Sequence, residues 1–424
     1  MSMTSVPYQA ELEARQGRQG EPRWLRELRS DAMARFAALG FPSRKSEAWK
    51  YTRIEPIVKT RFDIASLEEL GLAEDHVLDG VPDIPGTRLV VANGRFAPHL
   101  SRRSSDDVVA TGIFEALDHP KLRAHFGRHA PFEAQSFTAL NTALTEGGAF
   151  VFVGPGVIAR EPIHLVSLEI AEDVPLFSHP RNVIVVGEGS HVTIVESYLG
   201  LRGVTFGNAV TELVVGPGAT VDHYTFARTG DAAFHIGTLQ VSLERGSEFS
   251  SHAVAIGGAI LRSSIHVDFE GEDARCSLDG LYVASRRQHV DHRTEVDHAK
   301  PRCTSRELYK GIVDDSGRAV FNGRVIVRPN AQKTDATQKN QNLILSDRAV
   351  VDTKPQLEIF ADDVKCAHGA AVGQLDEDAL FYLRSRGIAA NDARRILVRA
   401  FADEVLARMT LVPFRAAVEG ALFP

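Results

Sequence analysis

The chain has 424 residues, 44% of them hydrophobic and 24% charged, with a formal net charge of −7. This is an ordinary globular composition, enough for about two or three domains. The charge argues against a nucleic-acid-binding protein with a dominant basic surface. No run approaches about eighteen apolar residues, so we expect no membrane span. Three widely spaced cysteines and an N-terminus without a signal-peptide layout predict a protein of the reducing cytoplasm.

The first part of the chain is predicted to be mainly helical. Apolar residues recur at helical spacing from Pro22 to Leu39, around Ile113–Phe126 and around Phe132–Leu144. A short strand, Arg88–Ala92, precedes an Asn-Gly turn. Between the first helix and this strand lies the polar, basic segment SRKSEAWKYTRIEP, Ser43–Pro56.

We interpret SRKSEAWKYTRIEP as an ordered segment held in place by its tryptophan and tyrosine. An anion site on Arg44, Lys45 and Lys50 is the less favoured alternative, because surface charges are usually only solvated.

From Phe150 onward, short β-branched runs are broken by glycine. Five of these glycines are spaced by 33, 29, 28 and 25 residues, namely Gly156, Gly189, Gly218, Gly246 and Gly271. Repeated strand–turn units of nearly constant length predict a β-solenoid, in which each coil buries its apolar face on the next. A β-sandwich is less favoured because its turns usually recur every 8–12 residues or so.

The C-terminal part is predicted to be helical again. Asp376 can cap a short helix that Gly387 ends, and Asn391 can cap a longer one. The apolar stripe of the longer helix comprises Ile396, Leu397, Ala400, Phe401, Val405, Leu406 and Met409. These helices could cover the last open coil of the solenoid, or they could present a surface to a partner.

The sequence therefore predicts a mainly β protein in three parts. Residues 1–145 form a mainly helical domain, 146–374 form the solenoid core and 375–424 form a helical domain.

The stretch DTKPQLEIFADDVKCAHGAAVG, Asp352–Gly373, carries the first candidate site. If its second half is extended, Cys366 and His368 point to the same side. A thiolate and an imidazole are suitable ligands for iron, copper, zinc or the edge of a cluster. Two ligands do not complete a metal site, so the others must come from elsewhere in the chain or from a partner.

Two polar stretches need an interpretation beside this site. In HVDHRTEVDH, His289–His298, alternation places valines, His292 and His298 on one face and mixed charges on the other. Hydrogen-bonded core histidines are favoured there over a metal site. The tract NAQKTDATQKNQN, Asn330–Asn342, could form a ladder along the solenoid or a loop facing a partner.

Several catalytic signatures are absent from the sequence. It contains no GxxxxGK[ST] phosphate loop, GxGxxG, HExxH, CxxC or GxSxG. The remaining enzymatic hypothesis is a carbohydrate-active β-helix that uses an acidic pair, either Asp314 with Asp315 or Asp362 with Asp363. Such pairs are far more often solvated turns.

Taken together, five stretches closely resemble the SufB/SufD family of the SUF iron–sulfur cluster assembly system. They are SRKSEAWKYT, HPRNVIVV, DHRTEVDH, FNGRVIVRPNAQKTDATQKNQNLILSD and DTKPQLEIFADDVKCAHGAAVG. The sequences DTKPQLEI, ADDVKCAHG and WKYT are similar to motifs of the SufD branch of the family rather than of the SufB branch.

The resemblance implies a right-handed parallel β-helix flanked by N-terminal and C-terminal helical domains. It also implies a non-catalytic scaffold that pairs with a SufB-type subunit through the β-helix and with a SufC-type ATPase through the C-terminal helices. Carried over by motif, Cys366 and His368 lie near the SufB interface, where a nascent cluster forms.

The resemblance further implies a role in iron acquisition, with a transient cluster or iron at the interface and no tightly bound cofactor. Reduced flavin could bind at the level of the complex, although the sequence shows no flavin motif. Two alternatives for the assembly stay open: a SufB-like principal sulfur acceptor, and a homodimer of the isolated chain.

Overall fold

The computed structural model describes residues 21–64, 78 and 80–423. Its helices are α1 (Arg23–Leu39), α2 (Glu55–Lys59), α3 (Pro120–His125), α4 (Ser136–Leu144), α5 (Glu377–Ser385), α6 (Ala390–Leu406) and α7 (Val412–Leu422), with 3₁₀ turns at Glu47–Trp49, Pro98–Leu100 and Ile113–Ala116. Among these described residues, no helix is both long and apolar enough to cross a lipid bilayer.

Strands account for most of the rest of the described chain. They are β1 (Asp63–Ile64), β2 (Thr87–Ala92), β3 (Arg95–Phe96), β4 (Val108–Gly112), β5 (Ala149–Val153), β6 (Ile163–Ile170), β7 (Leu176–Ser178), β8 (Arg181–Val186), β9 (His191–Arg202), β10 (Thr205–Val215), β11 (Thr220–Thr229), β12 (Phe234–Leu243), β13 (Glu248–Gly257), β14 (Ile260–Phe269), β15 (Arg275–Ala284), β16 (His289–His298), β17 (Thr304–Val313), β18 (Arg318–Val327), β19 (Asp335–Ile344), β20 (Val350–Ile359) and β21 (Lys365–Gly373).

These strands form two sheets that face each other across a common core. The even-numbered strands from β8 to β20 stack in parallel in the first sheet, which we call sheet 1. The odd-numbered strands from β9 to β21 stack in parallel in sheet 2. Each coil contributes one strand to each sheet, and about eight such turns make up the solenoid. The predicted fold class is therefore confirmed.

The space between the sheets is filled by the inward side chains of alternate residues, which are mostly aliphatic. Three tyrosines are also buried there, and two of them lie opposite a glycine on the neighbouring strand. A Cβ at Gly280 would lie 2.1 Å from the ring of Tyr309, and one at Gly311 would lie 2.2 Å from the ring of Tyr282. These glycines are required because any larger residue would collide with an aromatic ring in a close-packed core.

The N-terminal region combines helices with strands that extend both sheets. α1 packs on α4 through Phe36, Phe137 and Leu140. β2 and β3 form a hairpin whose Asn93-Gly94 turn has positive φ at both residues, as predicted for an Asn-Gly turn. Because β2 pairs with β6 and β4 pairs with β5, both sheets continue across residue 145.

Residues Ser43–Thr52, which we call the strap segment, cross the outer face of sheet 1. The ring of Trp49 lies 3.7 Å from the guanidinium of Arg262, and the Thr52 hydroxyl donates to buried Asp291. The strap segment is therefore held by Trp49, one of its two predicted aromatic anchors, and by hydrogen bonds below it. Of the basic residues in the alternative anion site, Arg44 donates to a carbonyl within the segment itself.

The packing of the C-terminal helices α6 and α7 bears on the two alternatives that the sequence left open. α6 and α7 pack on the outer face of sheet 2, where Met409, Phe414 and Val418 contact an apolar patch that includes Tyr224 and Phe226. They therefore lie on the flank of the solenoid and do not cover its last coil.

Two details of these helices also differ from the expectation. Asp376 caps α5 as predicted, but α6 begins after Ala389, so Asn391 lies within its first turn and is not the cap. The third helix, α7, was missed.

Candidate metal site at the open end of the solenoid

Cys366 and His368 lie on β21, the last strand of sheet 2. Their register partners on β19 are Ala336 and Gln338, both of which point into the core. Because side chains alternate along a strand, both candidate ligands face inward, on the same side and about 7 Å apart along the chain. The predicted shared face is therefore confirmed.

The two side chains remain accessible because no further coil covers them. Within the described residues, β20 pairs only with β18 and β21 only with β19, so each strand has one unpaired edge. His368 is exposed and Cys366 is half-buried, although equivalent positions one coil earlier are fully buried. The solenoid thus ends in an open coil with a thiol and an imidazole on its inner surface.

The thiol of Cys366 packs against a small apolar cluster that includes Val327, Ala331 and Ala336. Partial burial raises its pKa, and the carboxylate of Asp335 adds to the effect, while a backbone hydrogen bond at Ala336 opposes it. The uncovered site therefore favours the protonated thiol, and a bound cation would be needed to stabilise the thiolate.

The other two cysteines do not contribute to this site. Cys276 and Cys303 are buried in the solenoid core, and burial raises both thiol pKa values. Cys366 is the one cysteine of the three that reaches the surface.

A polar cluster that sequence reasoning missed lies directly below the site. The Glu307 carboxylate accepts the Thr294 hydroxyl at 2.6 Å and the Gln338 amide at 3.2 Å, entirely within the core. Burial raises the pKa of Glu307 to about 7. The alternation within the tract Asn330–Asn342 could have indicated this cluster, since Gln338, Asn340 and Asn342 all turn inward.

The strand part of the tract, residues 335–342, thus follows the first of its two interpretations, whereas residues 330–334 form a turn. Asn340 donates to the Tyr282 hydroxyl at 2.9 Å, and Asn342 donates to Asn340 at 2.6 Å. These side chains form a hydrogen-bonded network within the core and not a surface loop.

The histidine-rich strand β16 is part of the core as well. His292 stacks on Tyr282, and His298 stacks on Phe269 and bonds to the hydroxyl of Ser305. The core-histidine interpretation is therefore confirmed. Alternation alone did not show that Asp291, on the outer face, would be buried under the strap segment.

Each of the two acidic pairs considered for a glycan-cleaving enzyme lies in a turn between two strands. Asp314 and Asp315 lie in the turn between β17 and β18, whereas Asp362 and Asp363 lie in the turn between β20 and β21. These two turns run along opposite edges of the solenoid. A groove of ≈ 430 Å³ lies elsewhere again, between the strap segment and the outer face of sheet 1.

Cys366 and His368 could supply two ligands to a metal site, but not a complete set. In the part of the chain that the structure describes, no group of three or more His, Cys, Asp or Glu side chains is arranged to hold a metal ion. A thiolate and an imidazole are nevertheless chemically suited to iron. The arrangement could ligate a metal once a second surface supplied the remaining ligands.

Comparison with known proteins shows the family of the chain. Residues 169–401 match the family model for the SufBD core domain of SUF-system FeS cluster assembly, and residues 12–165 match the SufBD N-terminal region. The chain belongs to the SufBD family. It is thus an iron–sulfur cluster assembly protein of that family, as the five sequence stretches predicted.

SufBD relatives from three bacteria align over most of the chain. SufD of Escherichia coli is 33% identical, over 86% of this chain and 85% of its own length. A SufBD family protein of Synechocystis is 32% identical, over 93% and 88%. SufD of Bacillus subtilis is 27% identical, over 91% and 90%. Each is named as an iron–sulfur cluster assembly protein.

Proposed function

We propose that this chain is a scaffold subunit that supplies Cys366 and His368 to a nascent-cluster site shared with a SufB-type partner. The observation that carries the proposal is the open last coil, whose inner face presents both side chains to solvent. The site holds iron or a transient cluster as cargo and not as a resident cofactor, and through it the subunit takes part in iron acquisition.

The free edges of β20 and β21 support pairing with a second solenoid. Edge strands with unpaired N–H and C=O groups are normally blunted or covered, yet here Val350, Ile359 and Val372 are exposed beside them. A partner of the same fold could continue both sheets and bury these apolar side chains. It would also bring its own side chains against Cys366 and His368, which would complete the ligand set.

The C-terminal helices support a second contact, with a SufC-type ATPase. α5 has no buried residue, and its Phe381 and Tyr382 are 73% and 57% exposed. Large aromatic side chains of this kind are typical anchors of protein–protein contacts. Hydrolysis would then belong to the partner, and this chain would serve as a non-catalytic subunit.

A motion of these helices would be transmitted to the solenoid. α6 is tied to the outer face of sheet 2 by Lys310, which pairs with Glu404 at 2.5 Å. Beyond the end of α6, Arg408 pairs with Asp279 of sheet 2 at 3.0 Å. An ATP-driven shift of the partner would therefore act through α6 on the sheet that carries Cys366 and His368.

The test is co-expression with SufB-type and SufC-type partners, followed by anaerobic purification, absorption spectroscopy and native mass measurement. We expect Cys366→Ser and His368→Ala to leave the complex assembled and to lower the cluster content. Ala367→Ser, on the opposite face of the same strand, is the matched control. Undiminished cluster content in both site variants would refute the proposed ligand role.

A SufB-like role as sulfur acceptor is the second candidate, and one observation favours it. Cys366 is the cysteine that a donor protein could reach. Incubation of the complex with a cysteine desulfurase and cysteine, followed by peptide mass analysis, distinguishes the two roles. A persulfide on Cys366 supports the acceptor role, whereas an unmodified Cys366 beside a modified partner supports the scaffold role.

A further inference from the structure

The side-chain amide of Gln338 is fully buried below the open coil, and only one of its two polar atoms has a hydrogen-bond partner. Its Nε2 donates to Glu307 at 3.2 Å, while its Oε1 has no hydrogen-bond partner in the described structure. The residue has 0% relative exposure. Buried carbonyl acceptors are nearly always paired, so an orphaned one indicates a missing donor.

The orientation of this amide follows from its neighbours. Glu307 already accepts the Thr294 hydroxyl at 2.6 Å, so its carboxylate presents acceptor oxygens to the Gln338 Nε2. Gly323 on the opposite sheet makes room for the amide, because a Cβ there would lie 2.2 Å from Nε2. The donor end is therefore held towards Glu307, and the acceptor end is left free.

The side chain next above Gln338 on the inner face is His368. The two residues are register partners on the adjacent strands β19 and β21, whose backbones lie about 4.8 Å apart. An imidazole has an N–H to donate and a second nitrogen to offer to a metal. The register partner of Cys366 is Ala336, which offers no polar side chain, so the relationship is specific to the histidine.

We propose that Gln338 is the positioning residue for His368: its buried Oε1 accepts the imidazole N–H when the interface site is assembled. This hydrogen bond sets the tautomer and the ring orientation, and it leaves the other ring nitrogen free to bind the metal. Ligating histidines almost always donate their second ring N–H to such a partner. The inference rests on the proposed function of His368.

The test uses the complex purified with its SufB-type and SufC-type partners and titrated with Co²⁺, whose absorption bands report the coordinating atoms. We expect Gln338→Leu to weaken Co²⁺ binding by about 10- to 100-fold, the usual effect of removing a ligand's hydrogen-bond partner. The bands should also shift. Gln338→Glu keeps an acceptor oxygen towards His368 and can share one proton with Glu307, so it should restore most of the affinity.

Two controls separate positioning from a general effect on folding. Gln341 lies on the same strand and faces outward, and its Oε1 also lacks a hydrogen-bond partner. The variant Gln341→Leu should therefore bind Co²⁺ normally. In a His368→Ala background, Gln338→Leu should cause no further loss. If Gln338→Leu does not fold, Gln338→Met, which fills a similar volume without an amide, replaces it.

The outcomes distinguish this inference from the proposed function. If Gln338→Leu lowers the Co²⁺ affinity equally with and without His368, the positioning role is overturned. It is also overturned if Gln338→Leu leaves the affinity and the spectra unchanged while His368→Ala weakens Co²⁺ binding. Unchanged binding in His368→Ala itself would instead overturn the proposed metal site.

Discussion

The guanidinium of Arg181 and the carboxylate of Glu212 lie 2.7 Å apart, and neither side chain has any exposed surface. Arg181 is on β8 and Glu212 is on β10 of sheet 1. Glu212 also accepts backbone N–H groups of Gly127, His129 and Ala130, just after α3. This buried pair therefore joins the N-terminal region to the first coils of the solenoid.

Breaking the Arg181–Glu212 pair should be strongly destabilising. Glu212→Gln leaves the guanidinium buried without its counter-charge, so we expect a loss of about 3–5 kcal/mol in the free energy of unfolding. Chemical denaturation followed by circular dichroism measures it. The double variant Arg181→Met/Glu212→Gln should lose much less, because no charge is then buried alone and the glutamine oxygen can still accept the backbone N–H groups. A double variant as unstable as Glu212→Gln would contradict this account.

Glu307 should make the protein less stable as the pH rises. Burial raises its pKa from 4.5 to about 7, so the folded state holds more protons than the unfolded state between these values, and stability falls across this window. Glu307→Gln should be nearly neutral at pH 5 and stabilising by about 3 kcal/mol at pH 8. Denaturation at both pH values measures this, with Glu188→Gln in an exposed turn as the control. A pH-independent effect of Glu307→Gln would refute it.

Cys366 should be the one cysteine that reacts with a thiol reagent in the native isolated chain. Its half-buried thiol is accessible, whereas Cys276 and Cys303 are buried. Because the pKa of Cys366 is raised, labelling should accelerate with increasing pH as the thiolate forms. Intact mass measurement should show one label, and none in Cys366→Ser. Binding of a SufB-type partner should protect the site; persistent labelling in the complex would argue against the open-end interface.

A proline on the free edge of β21 should prevent pairing without unfolding the solenoid. The Lys365 N–H bonds towards β19, and alternate residues of a parallel strand bond to opposite neighbours, so the Ala370 N–H points to the free edge. Ala370→Pro removes that donor and should weaken binding to a SufB-type partner about tenfold or more, at unchanged melting temperature. Ala370→Ser keeps the N–H and should bind normally in the same calorimetric titration.

A charged residue introduced at an exposed aromatic position of α5 should disrupt the contact with a SufC-type ATPase. Phe381→Glu should cost about 2 kcal/mol or more of binding free energy, because an aromatic side chain that becomes buried in the contact is replaced by a charged one. Ile158→Glu is the matched control, since Ile158 is 68% exposed and lies near the start of the solenoid, where it forms an isolated bridge with His191. Co-purification and titration calorimetry measure both variants. Equal binding by the two would show that α5 is not the contact surface.

Much of the fold and half of the site could be predicted from the sequence because those features depend on local rules. Strand alternation places Cys366 and His368 on one face, whatever the strand packs against. The same period of two places His292 and His298 in the core. Repeated strand–turn units predict a solenoid, since a single unit cannot bury its apolar face alone.

What surrounds these elements was decided only by the tertiary structure. An apolar helix stripe can pack on any complementary apolar surface, so the sequence could not show that α6 lies on the flank of sheet 2 and leaves the last coil open. The burial of Asp291 depends on the strap segment, more than two hundred residues earlier in the chain. The pairing of Gln338 with Glu307 likewise depends on the register of stacked coils. Local periodicity determines which way a side chain points, and long-range packing determines which residues it contacts.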